Sequence, residues 1–144
     1  MIAVDTNILI YALREDSSFH DSALGSLVGL VRSGDRWSIP WPCVHEFISI
    51  ATHPRIYSPP TPLKISLNAL DAWLGSTNCE LLAEGPGYWD TLQQIAEKAD
   101  CRGSMIHDAR IAALCLHHGV DELWSVDRDF SRFPTLKLHN PLQS

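Results

Sequence analysis

Five short apolar runs, at residues 2–4, 37–39, 80–83, 120–126 and 136–138, alternate with longer segments whose apolar residues recur every three or four positions. Runs this short read as strands, and the longer segments read as amphipathic helices. Alternation of the two builds a parallel sheet, because parallel neighbours need a crossover long enough to hold a helix. The expectation is an α/β fold with a parallel central sheet flanked by helices on both faces. With 144 residues, 45% of them hydrophobic, the chain can fill one core and has little left for a second, so residues 1–144 are read as a single domain.

The helical segments carry ordinary boundary signals. Asp5 or Thr6 can cap a helix running through Ile8, Leu9, Tyr11 and Ala12, and a second covers residues 20–32 and ends at Ser33-Gly34. Pro42 suits the first turn of a helix holding Val44, Phe47, Ile48 and Ala51. Pro54, Pro59, Pro60 and Pro62 mark residues 53–62 as a surface loop. Leu63, Leu67, Leu70 and Leu74 define the next helix, up to Gly75, and Gly85-Pro86-Gly87 turns into one bearing Trp89, Leu92, Ile95 and Ala96. A last helix is expected from Asp108 to His118, stopped by Gly119.

Four acids stand at the joints of this pattern. Asp5 and Asp127 end apolar strand runs, while Glu46 and Asp108 sit in the opening turns of helices. If the strands are parallel, their carboxyl ends share one sheet edge, where open α/β proteins place ligand sites. Converging carboxylates repel one another unless a divalent cation neutralises them, and hard oxygen donors favour Mg²⁺ or Mn²⁺. Asn7 and Ser125 lie beside the acids and can hydrogen-bond a carboxylate or a water on the cation, or simply cap a helix and a strand end. Asp129, two residues after Asp127, competes with it: one can be the ligand while the other caps the turn toward Phe130.

The net charge of -6 argues against a protein that holds nucleic acid through a broad basic surface, although a cation-loaded acidic cluster inverts the local potential. Phosphate contacts would fall to Arg14, Arg110, Arg128 or Arg132, each of which could equally be a solvated or salt-bridged arginine. No apolar stretch is long enough to span a bilayer, and the first residues run straight into an apparent core strand, so no membrane association and a cytoplasmic location are expected. Cys43, Cys79, Cys101 and Cys115 form no CxxC pair and read as buried or free thiols. His45 and His107 each precede an acid, but neighbours on a helix point in different directions, and no zinc set is complete.

Four segments together carry a resemblance: Val4-Asp5-Thr6-Asn7-Ile8-Leu9-Ile10-Tyr11, Val44-His45-Glu46-Phe47, Ile106-His107-Asp108-Ala109-Arg110 through Leu114, and Trp124-Ser125-Val126-Asp127-Arg128-Asp129-Phe130. In this order the chain resembles a PIN domain over nearly its whole length, and more narrowly a VapC-type toxin of bacterial toxin-antitoxin pairs. The resemblance implies a metal-dependent endoribonuclease with Asp5, Glu46, Asp108 and Asp127 as catalytic acids. Asp5 would be the central ligand to Mg²⁺ or Mn²⁺, Asp108 and Asp127 its partners, and Glu46 a ligand or the holder of a metal-bound water. It further implies RNA ends with 5'-phosphate and 3'-hydroxyl, inhibition by a cognate antitoxin, and a homodimer.

Two other classes compete with the nuclease. An aspartyl-phosphate type phosphatase also ends its first strand on Asp, but its usual second Asp falls on Asn7 here. A non-catalytic module could use the acidic groove only to capture a basic partner segment.

Overall fold

The computed structural model describes residues 1–143. Five strands, β1 (Ile2–Val4), β2 (Trp37–Pro40), β3 (Cys79–Leu82), β4 (Glu122–Trp124) and β5 (Lys137–His139), form one sheet in the order β3-β2-β1-β4-β5. Every pairing is parallel, with Ala3 opposite Ser38 on one side and Leu123 on the other. The helices are α1 (Thr6–Leu13), α2 (His20–Ser33), α3 (Trp41–Ala51), α4 (Leu63–Leu74), α5 (Tyr88–Lys98) and α6 (Met105–His117). A short 3-10 helix covers Arg128–Arg132.

Successive strand residues point to opposite faces, so consecutive buried residues mean that both faces are covered. Trp37, Ser38, Ile39 and Pro40 are all buried, as are Ala3 and Val4, which makes β1 and β2 the centre of the core. Edge strand β5 is exposed at both ends, as its position requires. Phe47 from α3, Leu27 from α2, Leu114 from α6 and Phe130 from the 3-10 helix fill the space around the central strands. Each such side chain contributes about 1.5–3 kcal/mol through burial. Phe47 also meets Trp73 of α4 edge-on, with ring centroids 5.5 Å apart, and so fastens α4 to α3.

Element order and type follow the sequence pattern, with differences at the ends. The strand expected over residues 120–126 is only β4, Glu122–Trp124. Val120 is held in the turn after α6 by its N–H bond to the Cys115 carbonyl, and beyond Trp124 the chain bends into the 3-10 turn that Asp127 caps. The last long helix begins at Met105, not at Asp108, so Asp108 is its fourth residue. Gly103, with φ of 56°, makes the turn that allows this earlier start. Gly119 (φ 68°) ends the helix as expected.

The proline-rich loop is tied down by Arg14. Its guanidinium donates to the Pro59 carbonyl (2.9 Å) and Thr61 Oγ1 (3.3 Å), pairs with Asp16, and lies 4.1 Å from the Tyr57 ring centroid. Among the described residues, no helix is long and apolar enough to cross a membrane.

Candidate active site

The site grows from the end of β1. The Asp5 N–H continues the ladder by bonding the Trp124 carbonyl at 2.9 Å, and its backbone is extended before α1 begins. Its carboxylate is 5% exposed and satisfied on both oxygens. Oδ1 accepts from the Thr6 N–H at 2.8 Å and from the Cys43 thiol at 3.4 Å. Oδ2 accepts from Ser125 Oγ at 2.7 Å and from Asn7 Nδ2 at 3.4 Å. Burial pushes the Asp5 pKa above the usual carboxylate range; the hydrogen bonds from Ser125, Thr6 and Cys43 oppose the shift, and the charge of Asp127 adds to it.

Ser125 and Asn7 therefore do more than cap. The Ser125 hydroxyl, 1% exposed, accepts from Asn7 Nδ2 (3.1 Å) and from the Asp127 N–H (3.0 Å), while Asn7 Oδ1 accepts from the Val126 N–H (3.3 Å). The segment carrying Asp127 is thereby pinned to the start of α1. Asp127 itself caps the 3-10 helix, accepting from the Asp129 N–H at 2.9 Å, and still lines the pocket. The same carboxylate thus caps the turn toward Phe130 and also faces the pocket.

A pocket of about 220 Å³ brings Asp5, Glu46, Asp108 and Asp127 together at the carboxyl edge of the sheet. Carboxylate oxygens of Asp108, Asp127 and Asp129 lie within 4.8 Å of one another. The Asp108 pKa is raised by burial and then by the charges of Asp127, Asp5 and Asp129, with Arg132 opposing. Glu46 is raised by partial burial and by the charges of Asp5 and Asp108. These mutual repulsions are what a cation would relieve, and an all-oxygen donor set suits a hard divalent ion. Asp108, Asp127 and Asp129 form one group of three close enough to share an ion, and Asp5 lines the same pocket as Asp108 and Asp127.

The arginines are placed differently from one another. Arg14 is engaged with the proline-rich loop, Arg110 pairs with Glu84 at 3.3 Å, Arg132 with Asp129 at 3.7 Å, and Arg128 is exposed at the start of the 3-10 helix. Three contributors escaped the sequence reading. Cys43 reaches Asp5 because α3 starts directly at the end of β2, next to β1. Thr6 Oγ1 lines the pocket, buried and without a hydrogen-bond partner. Tyr57 forms part of the pocket wall from the loop that Arg14 holds. For Thr6, adjacency to Asp5 was the available signal; for the other two only the fold supplies it.

The PIN domain model matches residues 2–136, and the chain belongs to this family. Within it, the chain is 33% identical to ribonuclease VapC43 of Mycobacterium tuberculosis, over 99% of this chain and 96% of that protein. Two solved structures share the fold. VapBC2 from Rickettsia felis, crystallised with a DNA fragment from its promoter, superposes with a TM-score of 0.70 at 19% identity, covering 97% of this chain and 98% of the other. The sarcin-ricin loop cleaving toxin VapC20 of M. tuberculosis gives 0.62 at 15% identity, covering 91% and 93%.

Proposed function

We propose that this chain is a metal-dependent endoribonuclease, the toxin half of a toxin-antitoxin pair, with Asp5, Glu46, Asp108 and Asp127 as its catalytic acids. The observation that carries this is the convergence, in one pocket at the carboxyl edge of a parallel sheet, of acids supplied by β1, α3, α6 and the turn after β4. Kinship with VapC ribonucleases supplies the substrate class. One domain carries the whole site, and the chain acts in the cytoplasm, where RNA and a cognate antitoxin are both at hand. The antitoxin, and a homodimeric state, rest on kinship with toxins of this kind.

A bound Mg²⁺ or Mn²⁺ supplies Lewis acidity at the scissile phosphate and lowers the pKa of water beside it. Asp5, Asp108 and Asp127 would hold that ion, with Asp5 its central ligand. Ser125, Asn7, the Thr6 N–H and Cys43 keep Asp5 from rotating, so the acids are preorganised before RNA arrives. Glu46, on a different helix from Asp108, orients the attacking water and accepts its proton. The water oxygen bonds to phosphorus, the bond to the ribose 3'-oxygen breaks, and that oxygen takes a proton from solvent, giving 5'-phosphate and 3'-hydroxyl ends. No side-chain nucleophile takes part.

Purified protein freed of any inhibitor should cleave RNA in Mg²⁺ or Mn²⁺ and lose that activity in EDTA and on Asp5→Asn. Undiminished cleavage in either case would sink the reading.

A further inference from the structure

The two histidines that precede acids in the sequence meet in the fold. A second pocket, of about 300 Å³, adjoins the acidic one, and the two share Glu46 and Ile111. His45 and Ser49 line it from α3, His107 and Arg110 from α6. Residues three or four apart share a helix face, so each helix presents a pair of hydrogen-bond donors to the same cleft. All four side chains are exposed. The His45 ring packs against Trp41, with centroids 5.8 Å apart and the planes tilted by 31°. Among the described residues, His45, Ser49 and His107 make no side-chain hydrogen bond, and Arg110 has one weak partner, Glu84, at 3.3 Å with both side chains nearly half exposed.

This is a cluster of donors with little else to do. It is not a metal site, since the only group of three suitable ligands among the described residues is Asp108, Asp127 and Asp129. Apart from Glu46, which belongs to both pockets, nothing that lines it is acidic. An RNA strand whose scissile phosphate lies over the carboxylates must place its neighbouring phosphates one nucleotide to either side, within reach of the adjoining pocket. On a chain of net charge -6, such a neighbour needs local donors.

We propose that this pocket is a phosphate subsite for RNA, which holds the phosphate next to the cleaved bond. Arg110 releases Glu84 to pair with it, and His45, His107 and Ser49 donate hydrogen bonds. The inference rests on the nuclease reading and adds a binding determinant to it.

Steady-state cleavage of a fluorescent single-stranded RNA in Mg²⁺, over a salt series, tests it. Arg110→Ala and the double variant His45→Ala/His107→Ala should each raise KM about five- to tenfold, with a much smaller change in kcat. The slope of log KM against log salt should fall by about 0.7 for each phosphate that the variant no longer engages. Arg110→Lys should recover part of the loss, because the charge returns without the planar fork. Arg36→Ala, which breaks an exposed ion pair with Glu80 away from both pockets, should leave KM and slope unchanged. Wild-type KM and slope in both pocket variants would overturn the subsite while leaving the nuclease intact. A loss confined to kcat would also overturn it, assigning the pocket to support of Glu46 and Asp108. If the wild type cleaves no RNA in Mg²⁺ or Mn²⁺, the nuclease reading itself falls, and the subsite with it.

Discussion

Ser125 and Asp5, 120 residues apart in the chain, are joined by a 2.7 Å hydrogen bond from Oγ to Oδ2. The same hydroxyl accepts from the backbone of Asp127, so one buried oxygen sets the relative positions of two of the four acids. Ser125→Ala should lower RNA cleavage about 10- to 100-fold and raise the Mg²⁺ or Mn²⁺ concentration required for half-maximal rate. Ser125→Thr should retain most activity, since it keeps the hydroxyl. Full activity in the alanine variant would show that Asp5 is positioned without this bond.

Asp5 should carry a cost in stability that its function offsets. Its pKa is raised in the fold, so the native state binds more protons than the unfolded chain between the two pKa values, and stability falls as pH rises through that window. In EDTA at neutral pH, Asp5→Asn should therefore melt about 2–5 °C higher than wild type. The gap should close as pH is lowered toward the ordinary carboxylate value. Mg²⁺ should raise the melting temperature of the wild type and much less that of the variant. A variant that melts lower than wild type at neutral pH would contradict this account.

Asp127 and Asp129 should separate cleanly. Asp127 lines the pocket, is pinned through Ser125 and caps the 3-10 helix, while Asp129 is exposed and leans toward Arg132. Asp127→Asn is expected to reduce kcat/KM at least about 100-fold and Asp129→Asn less than about 10-fold. The reverse order, measured at saturating Mg²⁺, would make Asp129 rather than Asp127 the fourth acid.

Arg14 should matter for stability more than for RNA. Arg14→Ala removes two hydrogen bonds to the loop, the pair with Asp16 and the packing on Tyr57, a loss of about 1–3 kcal/mol in urea denaturation. Limited proteolysis should then cut within residues 53–62. Arg14→Lys should restore little, because an ammonium cannot reproduce the fork or lie flat on the ring. An intact loop in Arg14→Ala would disprove the clamp.

Much of the fold was legible because short apolar runs and helical periodicity fix element type locally. Ends were harder. Nothing near Asp108 distinguishes it from a helix start, and the turn at Gly103 is what moves the helix back to Met105. Val120 and Val126 have strand-forming side chains, yet the hydrogen bond to Cys115 claims one and the turn at Asp127 the other. The four acids could be recognised from order and flanks, and Asn7 and Ser125 from adjacency. Cys43 could not, since its contact with Asp5 depends on β2 lying beside β1. His45 and His107 were legible singly but not as a pair, because no local pattern says that α3 and α6 are neighbours.

The sheet order also times the enzyme. β1 sits in the middle of the sheet, but its neighbour β4 is made only after β2 and β3, and Ser125 and Asp127 follow three residues or fewer behind it. Until then β1 has an open edge, Asp5 lacks its Oδ2 donor from Ser125, and the pocket has no far wall. A chain that stalls or is cut before residue 122 is therefore disarmed by topology, and the cell meets a working nuclease only once β4 and the turn after it have been made.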